Sequence, residues 1–512
     1  MGSGPVGVVG AGYVGLTTAA CLAHLDHRVR CVDVDPARVV ALNRGKVPIA
    51  EPGLAELVGR GLATGTLSFS TDVADLGGAR VVVLCVPTPM GDGGVADLGA
   101  LRAALDALAG VLPVGAVVAI KSTVPVGTTA RVNELLGRAD VGLVSNPEFL
   151  REGHAVRDFL HPDRIVVGAA EDAAAERVVE LYRGIPAPVV RTDPASAELG
   201  KYASNAFLAL KLSYVNVLAE LCERVGADIG QVTTAMGLDE RIGDAFTEPG
   251  PGWGGSCLPK DTAALVSSAR RFGVDPGLLV AAVEANAHQQ ERVVTKVRAA
   301  VTGSASGSLA GVRLGLLGLT FKAGTDDVRH SPALAVAALL AAAGAQLTGY
   351  DPAIRAGSAP DVGPVQVVDD PYLVAKEAAG IVLLTEWPEF RDLDWPQLAT
   401  VAERPVVVDT RNLLDRAALA AHGITWVGLG VSPPSGRVCR GPSPERGDPS
   451  MAPNPIEMQK YLSGIDYPVD RDGLIEHARS QGAPDEVIQH LEALPNRSYD
   501  GPNAVSKEYA NT

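Results

Sequence analysis

The feature that most constrains this chain is a glycine-rich turn near its amino terminus. The apolar run Val-Gly-Val-Val-Gly at residues 6–10 leads into the spacing Gly10-x-Gly12-x-x-Gly15 and then into a stretch rich in Ala and Leu. The apolar run indicates a buried strand, and the stretch after it indicates a helix. In a strand–turn–helix unit of this kind, Gly10 permits the tight turn, Gly12 lets the backbone approach a pyrophosphate, and Gly15 lets helix and strand pack closely.

An acidic residue follows at the distance that a dinucleotide site requires. Asp33 comes directly after the next apolar run, residues 29–32, where a carboxylate accepts hydrogen bonds from an adenosine ribose. A 2′-phosphate would be repelled there, so NAD is favoured over NADP, although Arg38 nearby weakens that preference. We therefore predict NAD binding at this turn, with Tyr13 and Val14 at the start of the helix as further contacts.

Apolar runs alternate with amphipathic stretches over the first 190 residues, which is typical of a parallel sheet covered on both faces. The apolar period then becomes helical, and the alternation resumes near residue 312. Both halves place an Asp-Pro pair at the end of their second strand, Asp35-Pro36 and Asp351-Pro352. We predict an α/β protein with two Rossmann-like domains with parallel sheets, joined by a long helical region: residues 1–194, 195–302 and 303–430.

The composition changes after residue 430. Residues 431–452 are dense in Pro, Gly, Ser and charge, which indicates a linker. Residues 453–512 are predicted to form a small helical module, because Asn454 suits an N-cap, Pro455 the first helical position and Glu457 the third.

Charge and composition exclude some classes of partner. The net charge is −15, from 59 acidic and 44 basic residues, which disfavours nucleic acid. The longest apolar span, residues 333–343, has 11 residues, whereas about 20 are needed to cross a bilayer. We therefore expect no membrane insertion. The six cysteines show no paired spacing, and no secretory signal is visible, so a reducing, cytoplasmic setting is expected.

A second candidate site is the loop Pro-Gly-Pro-Gly-Trp-Gly-Gly-Ser-Cys-Leu-Pro-Lys-Asp at residues 249–261. Its glycines let the backbone approach a ligand closely. Pro259 suits a helix start, and a thiol beside a helix N-terminus and Lys260 is expected to have a lowered pKa. Cys257 is therefore a candidate nucleophile, and a structural cysteine in a turn is the alternative.

Three further groups of polar residues could contribute to a site. Lys201 and Asn205 share one face of the predicted long helix, as a buried pair or as ordinary surface residues. Glu148 follows a strand at the expected carboxyl edge of the sheet, as a general base or as an N-cap. The charged segment at residues 321–329 lies in the first turn of the second Rossmann-like unit, which suggests a second nucleotide-like ligand.

Taken together and in this order, the motifs over residues 6–430 resemble the UDP-glucose/GDP-mannose 6-dehydrogenase family. The resemblance implies an NAD-binding domain, a helical dimerisation region and a C-terminal domain holding a nucleotide sugar, whose C6 alcohol is oxidised to a carboxylate in two NAD-dependent steps. It implies a homodimer and no metal ion. The loop at residues 249–253 is similar to that of bacterial UDP-glucose enzymes, which favours UDP-glucose as substrate, with GDP-mannose as the alternative.

The same resemblance implies roles for individual side chains. Cys257 would attack the C6 aldehyde as a thiolate, giving a thiohemiacetal and then a thioester that water hydrolyses. Lys201 and Asn205 would stabilise the negative oxygen at C6. Asp261 and Thr123 would hold a water, and Glu148 would transfer protons. The matching cofactor contacts are Thr88, Ser122, Thr123, Glu152, Lys260 and Arg329. The matching positions around the nucleotide sugar are Glu148, Phe149, Leu150, Lys201, Asn205, Gly254, Phe321, Lys322, Arg411 and Arg241, the last reaching across a dimer interface.

The final segment is similar to a short bacterial domain of unknown function, on its Asn454-Pro-Ile-Glu start and its Leu494-Pro-x-x-x-Tyr close. It implies no activity. Two other functions stay open for the whole chain. One is a one-step NAD-dependent hydroxyacid dehydrogenase, which needs no cysteine nucleophile. The other is a catalytically silent nucleotide-binding scaffold whose appended module recruits a partner.

Overall fold

The computed structural model describes residues 4–357, 360–431 and 468–499, together with residues 458, 461, 462, 465, 501, 505 and 508. The chain divides into two compact units, Met1–Val438 and Cys439–Thr512. All but the first residue of the predicted linker, and the predicted helix start at Asn454, lie outside the described residues.

The first sheet has eight strands in the order β3-β2-β1-β4-β5-β6-β7-β8. They are β1 (Val6–Val9), β2 (Val29–Val32), β3 (Leu67–Ser70), β4 (Val81–Leu84), β5 (Val117–Ile120), β6 (Gly142–Ser145), β7 (Ile165–Ala169) and β8 (Val189–Thr192). Their helices are α1 (Tyr13–His24), α2 (Pro36–Asn43), α3 (Leu54–Thr64), α4 (Gly99–Ala109), α5 (Thr128–Leu136), α6 (Ala155–Leu160) and α7 (Asp172–Glu180).

The expected parallel sheet is confirmed for the first six strands and is wrong at one pair. Strands β6 and β7 pair antiparallel, whereas β7 and β8 are again parallel. The connection from β6 to β7 contains only the six-residue helix α6. The chain re-enters the sheet from the carboxyl edge that it has just left, which makes β7 antiparallel to β6.

Both faces of the central strands of this sheet are buried, which explains their uninterrupted apolar residues. In β4, Val81 and Val83 belong to one apolar cluster, and Val82 and Leu84 belong to the cluster on the opposite face. Because successive strand residues point to opposite faces, a strand covered on both sides needs apolar residues at every position.

The middle of the first unit is helical, as expected. It contains α8 (Pro194–Val225), α9 (Ile229–Gly237), α10 (Leu258–Arg271) and α11 (Gly277–Thr302), and α8 packs against both α10 and α11. Asp193 caps the start of α8 by accepting a hydrogen bond from the Ser196 N–H, and Gly226, with φ 78°, ends it.

The second sheet repeats the first. Its six strands are all parallel, in the order β11-β10-β9-β12-β13-β14, which is the order of the first six strands of the other sheet. The elements are β9 (Arg313–Leu317), α12 (Pro332–Ala342), β10 (Gln346–Tyr350), β11 (Val365–Val367), β12 (Ile381–Leu383), α13 (Trp395–Val401), β13 (Val406–Asp409), α14 (Arg416–Ala421) and β14 (Thr425–Gly428).

The two Rossmann-like halves also share an equivalent hydrogen bond. Asp33 accepts a bond from the Ala11 N–H, 2.6 Å, and Asp351 accepts one from the Leu319 N–H, 2.7 Å. In each half, an acid after the second strand therefore holds the turn that follows the first strand.

The second unit has a small core of its own. It consists of β15 (Val469–Asp470), α15 (Arg471–Ser480), α16 (Asp485–Ala493) and β16 (Ser498–Tyr499), with the two strands antiparallel. Apolar side chains of the two helices are buried between them, including Leu474, Val487 and Leu491. The helical module is confirmed, and the short strand pair was not predicted.

Helix α8 bears on the expectation of no membrane insertion. By length and composition alone this helix could cross a membrane. It is longer than the span of 11 residues on which the expectation was based. This is weak support for a membrane span, because core helices of soluble proteins pass the same test. In this unit the helix carries the buried side chains of Glu198, Lys201 and Asn205.

The carboxylate of Glu198 fastens α8 to the start of α5. It accepts hydrogen bonds from the Gly127 N–H at 2.6 Å, from the Thr129 N–H at 2.7 Å and from the Thr129 hydroxyl at 2.6 Å. The first N–H groups of a helix have no partner within the helix, so a buried acceptor is required there.

Replacing Glu198 with Ala is expected to weaken the start of α5 by about 1–3 kcal/mol, because buried donors lose their acceptor. Hydrogen exchange of the peptide at residues 127–131 measures this loss. Glu198→Gln keeps one acceptor oxygen and should lose less. Equal exchange in wild type and Glu198→Ala would contradict the assignment.

Candidate active site

The glycine-rich turn has the shape that a dinucleotide requires. Gly10 has φ 95°, and a Cβ at Gly15 would overlap the Gly10 carbonyl oxygen. A Cβ at Gly12, in contrast, would meet nothing within 4 Å. Gly12 caps α1 without any side-chain hydrogen bond, so the first N–H groups of the helix are available to an anion. These residues fit the diphosphate of a dinucleotide.

Asp33 and Arg38 form one unit at the edge of this turn. The Arg38 guanidinium donates to both carboxylate oxygens of Asp33, at 3.1 and 3.2 Å, and Asp33 is itself buried. The Arg38 guanidinium therefore offsets part of the negative charge of Asp33. That negative charge is the reason for expecting NAD rather than NADP.

Cys257 stands apart from the other cysteines. Of the five in the described part of the chain it alone is exposed, and Cys21, Cys31, Cys85 and Cys222 are buried. It occupies the N-cap of α10, and its Sγ lies 3.6 Å from the Ser256 hydroxyl. The expected helix start at this loop is confirmed.

The expectation of a lowered pKa for the Cys257 thiol is wrong in this structure. Solvent reaches the side chain, but protein surrounds it on most sides, and this desolvation raises its pKa; the carboxylate of Glu148 adds to the effect. Lys201 and Ser256 act in the opposite direction without cancelling it. Lys260, which was expected to help, pairs instead with Asp261 at 2.6 Å.

A buried ion pair lies beside the thiol. The Lys201 ammonium donates to Glu148 at 2.9 Å, and the residues are 3% and 8% exposed. Burial alone would lower the pKa of Lys201, but Glu148 outweighs it and raises that pKa. Burial likewise works to raise the pKa of Glu148, yet Lys201 holds it below its usual value. Both groups therefore stay charged.

One turn further along α8, the Asn205 amide donates to Asp261 at 2.6 Å, and Asp261 is almost fully buried. Lys201 and Asn205 thus share one face of the helix, as predicted, and each meets a carboxylate. Their interpretation as ordinary surface residues is wrong.

The loop after β6 contributes more than Glu148. The Arg164 guanidinium lies 3.6 Å from the centre of the Phe149 ring, and the Lys201 ammonium lies 5.2 Å from it. The Leu150 N–H donates to Glu148 at 2.6 Å, which fixes the carboxylate from the other side.

Glu152 joins this loop to the other two parts of the unit. Its carboxylate accepts hydrogen bonds from Ser256 at 3.2 Å, from Thr325 at 3.3 Å and from Arg329 at 3.4 Å. Burial and the charge of Asp327 raise its pKa. Segments far apart in sequence therefore converge on one carboxylate next to the cysteine loop.

The predicted nucleotide-sugar residues of the second Rossmann-like domain lie along the glycine-rich loop at residues 249–257. A Cβ at Gly255 would meet the Phe321 ring at 2.8 Å, and one at Gly254 would overlap the His330 carbonyl. A Cβ at Gly250 would meet the Arg411 guanidinium at 2.9 Å. Burial lowers the pKa of Lys322.

Arg241 is the exception among the predicted sugar-site residues. Its side chain is 88% exposed and pairs with Asp239 of its own turn, at 2.6 Å. The structure does not bring it to the residues around Cys257.

The remaining cofactor candidates connect the loops after β4 and β5. The Thr88 hydroxyl donates to the Thr123 carbonyl at 2.8 Å, and the Ser122 hydroxyl donates to the Val86 carbonyl at 2.7 Å. Val14 is half-buried and packs against the apolar cluster of the first sheet.

Three further polar residues near the site are buried and were not predicted: Glu51, Lys121 and Tyr182. Lys121 donates to the Tyr182 hydroxyl at 3.1 Å, which donates to Asn146 at 2.5 Å. The signal for Lys121 was present, since it directly follows an apolar strand. Among the described residues, no group of three or more His, Cys, Asp or Glu could hold a metal ion.

Most of the chain matches models of known protein families. Residues 5–186 match the NAD binding domain of the UDP-glucose/GDP-mannose dehydrogenase family, residues 195–288 its central domain and residues 315–416 its UDP binding domain. Residues 453–506 match a protein of unknown function, DUF2795, as the sequence resemblance implied.

Individual proteins agree with these matches. A UDP-glucose 6-dehydrogenase of Rhizobium meliloti is 43% identical over 83% of this chain and 98% of its own length. The UDP-glucose 6-dehydrogenase TuaD of Bacillus subtilis is 39% identical over 83% of this chain and 93% of its own. The structure of a UDP-glucose dehydrogenase from Pyrobaculum islandicum matches with a TM-score of 0.74 and 36% identity, over 84% of this chain and 98% of that one. The chain belongs to the UDP-glucose/GDP-mannose dehydrogenase family, a family of NAD-dependent oxidoreductases.

Proposed function

We propose that this protein oxidises UDP-glucose to UDP-glucuronate, using two NAD and one water and releasing two NADH. The observation that carries the proposal is Cys257, the one exposed cysteine among those that the structure describes, beside the buried Lys201–Glu148 and Asn205–Asp261 pairs. A one-step alcohol oxidation needs no nucleophile, whereas a four-electron oxidation to an acid gains one from a thiol. The relatives named as UDP-glucose 6-dehydrogenases favour this substrate over GDP-mannose.

The first oxidation takes the C6 alcohol to an aldehyde, and bound NAD supplies the hydride acceptor. The charged Lys201 and the amide of Asn205 stabilise the negative oxygen at C6. One donor in a comparable oxyanion site is worth roughly 2.7–4 kcal/mol. Asp261 and Thr123 hold a water that takes the hydroxyl proton and passes it on to bulk solvent.

The second oxidation proceeds through the thiol. The Cys257 Sγ bonds to the aldehyde carbon and gives a thiohemiacetal, from which a second hydride leaves to give a thioester. Because the pKa of the free thiol is raised, its proton has to leave as the S–C bond forms. The carboxylate of Glu148, which Lys201 keeps ionised, is the available acceptor, and it releases this proton to solvent before hydrolysis begins.

Hydrolysis of the thioester completes the reaction. Glu148 is ionised by its contact with Lys201 and so acts as the base that takes a proton from the attacking water. Water oxygen bonds to the C6 carbonyl carbon, the C–S bond breaks, and Cys257 leaves as a thiolate that regains its proton.

The other predicted residues surround these two steps. We propose that NAD is held by Gly10, Gly12, Tyr13, Val14, Gly15, Asp33, Arg38, Thr88, Ser122, Thr123, Glu152, Lys260 and Arg329. The nucleotide sugar is held by Glu148, Phe149, Leu150, Lys201, Asn205, Gly254, Phe321, Lys322 and Arg411. The domain division at residues 194, 302, 430 and 452, and a cytoplasmic location, are part of the same proposal.

We also propose a homodimer that forms across α8. The helix exposes an apolar row at Phe207, Tyr214, Val217, Leu221 and Val225. Their spacing of seven, three, four and four residues places them along one side of the helix. An apolar row of this length is typical of a contact surface. In such a dimer Arg241 could act in the partner's site.

The decisive measurement is the number of NADH formed per sugar, with excess NAD and limiting UDP-glucose. Two NADH per UDP-glucose are expected. One would mean that oxidation stops at the aldehyde, as in a one-step dehydrogenase.

Cys257→Ser should lose at least about a hundred-fold in kcat or accumulate a trapped intermediate, because the thioester cannot form. Unchanged turnover in this variant would refute the role of Cys257. No NADH with either UDP-glucose or GDP-mannose would favour the silent scaffold.

Alkylation of Cys257 by iodoacetamide should depend on pH in a defined way. The thiolate is the reacting form, and the pKa of this thiol is raised. The rate should therefore be low at neutral pH and still be rising above pH 9. Lys201→Met removes a charge that lowers this pKa, so it should slow alkylation at pH 8, with Lys211→Met on the same helix as control. A plateau below pH 8 in the wild type would contradict the raised pKa.

The dimer predicts a change in mass on substitution. Leu221→Arg places a charge in the apolar row and should convert the dimer to monomer, measured by light scattering on a sizing column. Arg224→Ala, also exposed near the end of α8, is the control. A wild-type monomer at micromolar concentration would contradict the proposal.

A further inference from the structure

Glu51 is a buried carboxylate that the reaction steps do not use. It lies between α2 and α3 and is 8% exposed. The Tyr13 hydroxyl donates to it, the Gly153 N–H donates to its Oε2 at 2.8 Å, and the Val156 N–H donates to its Oε1 at 3.3 Å. Within the described residues, no Lys, Arg or His forms an ion pair with it, so neutral donors alone satisfy its charge.

Tyr13 links this carboxylate to the dinucleotide turn. It is the first residue of α1, directly after Gly12. Burial and the hydrogen bond to Glu51 raise the pKa of its phenol far above the usual value, so the hydroxyl stays protonated and remains a donor. The Gly153 N–H also donates to the Tyr13 oxygen, at 2.8 Å. Tyr13, Glu51 and Gly153 therefore form a closed triangle of hydrogen bonds.

The loop that contains Gly153 connects this triangle to the Cys257 thiol through a series of contacts. A Cβ at Gly153 would lie 2.7 Å from the Gly324 carbonyl, so this loop packs tightly on the loop that follows β9. The neighbouring Glu152 bonds Ser256, whose hydroxyl is 3.6 Å from the Cys257 Sγ. Contacts thus run without a break from the start of α1 to Cys257.

We propose that Glu51 is a positioning residue, which fixes the loop carrying Glu152 against the start of α1 and so sets the placement of Cys257 relative to the dinucleotide turn. The inference rests on the proposed function in one respect, that Cys257 is the reacting thiol. Hydride transfer requires placement within about 0.5 Å, and a rigid link between the two sites would supply part of it. Glu51 itself touches none of the reacting atoms.

The test compares Glu51→Ala with Glu56→Ala, an exposed acid five residues along on α3. Glu51→Ala is expected to weaken NAD binding about ten-fold and to speed amide exchange at residues 148–156 about ten-fold, because three donors lose their acceptor and one of them is fully buried. It should also change the rate of Cys257 alkylation by iodoacetamide at least three-fold and lower kcat, with the KM for UDP-glucose unchanged. Glu51→Gln keeps an acceptor for Tyr13 and should recover most of each effect. Glu56→Ala should match the wild type.

A purely structural role predicts a different pattern. A lower melting temperature in Glu51→Ala, with NAD affinity and alkylation rate within two-fold of Glu56→Ala, would overturn the proposal. If Glu51→Ala does not fold, Tyr13→Phe decides it: the proposal requires a shifted alkylation rate in this variant, and an unshifted rate overturns it. Alkylation and exchange need no turnover, so this result is independent of the NADH stoichiometry that tests the proposed function.

Discussion

The site depends above all on the buried ion pair between Lys201 and Glu148. Neither charge has bulk water to solvate it, so each needs the other, and removing one partner of such a pair typically costs about 3–5 kcal/mol. The pair joins α8 to the loop after β6, and Glu198 fastens the same helix to α5 three residues earlier. The helical middle is therefore held to the first sheet by charged and polar contacts made at the site.

This arrangement gives the two carboxylates beside Cys257 different surroundings. Glu148 faces an ammonium and is held ionised, whereas burial and the charge of Asp327 raise the pKa of Glu152 in spite of its contact with Arg329. Two carboxylates whose pKa values are shifted in opposite directions can act as a general acid and a general base. Desolvation raises the pKa of the Cys257 thiol beside them, so the thiol is protonated at neutral pH.

Glycine places these groups at close range. The loop at residues 249–256 runs against Arg411, Phe321 and the His330 carbonyl, and Cβ atoms at its glycines would meet each of them. Asn286 and Gln289 of α11 hold the loop by hydrogen bonds to Trp253 and to the Gly250 carbonyl. A flexible sequence is therefore made rigid by its neighbours.

The sequence by itself determined the strand–turn–helix at Gly10, the two Rossmann-like halves, the helical middle and the identity of Cys257 as the candidate nucleophile. These features follow from local spacing and periodicity, which a single segment carries. The tertiary structure alone decided the antiparallel step at β7, the raised pKa of the thiol, the pairing of Lys260 with Asp261 and the contacts of Glu51. Each of these depends on desolvation or on partners distant in sequence. Glu51 and Gly153 are 102 positions apart, and no local pattern connects them.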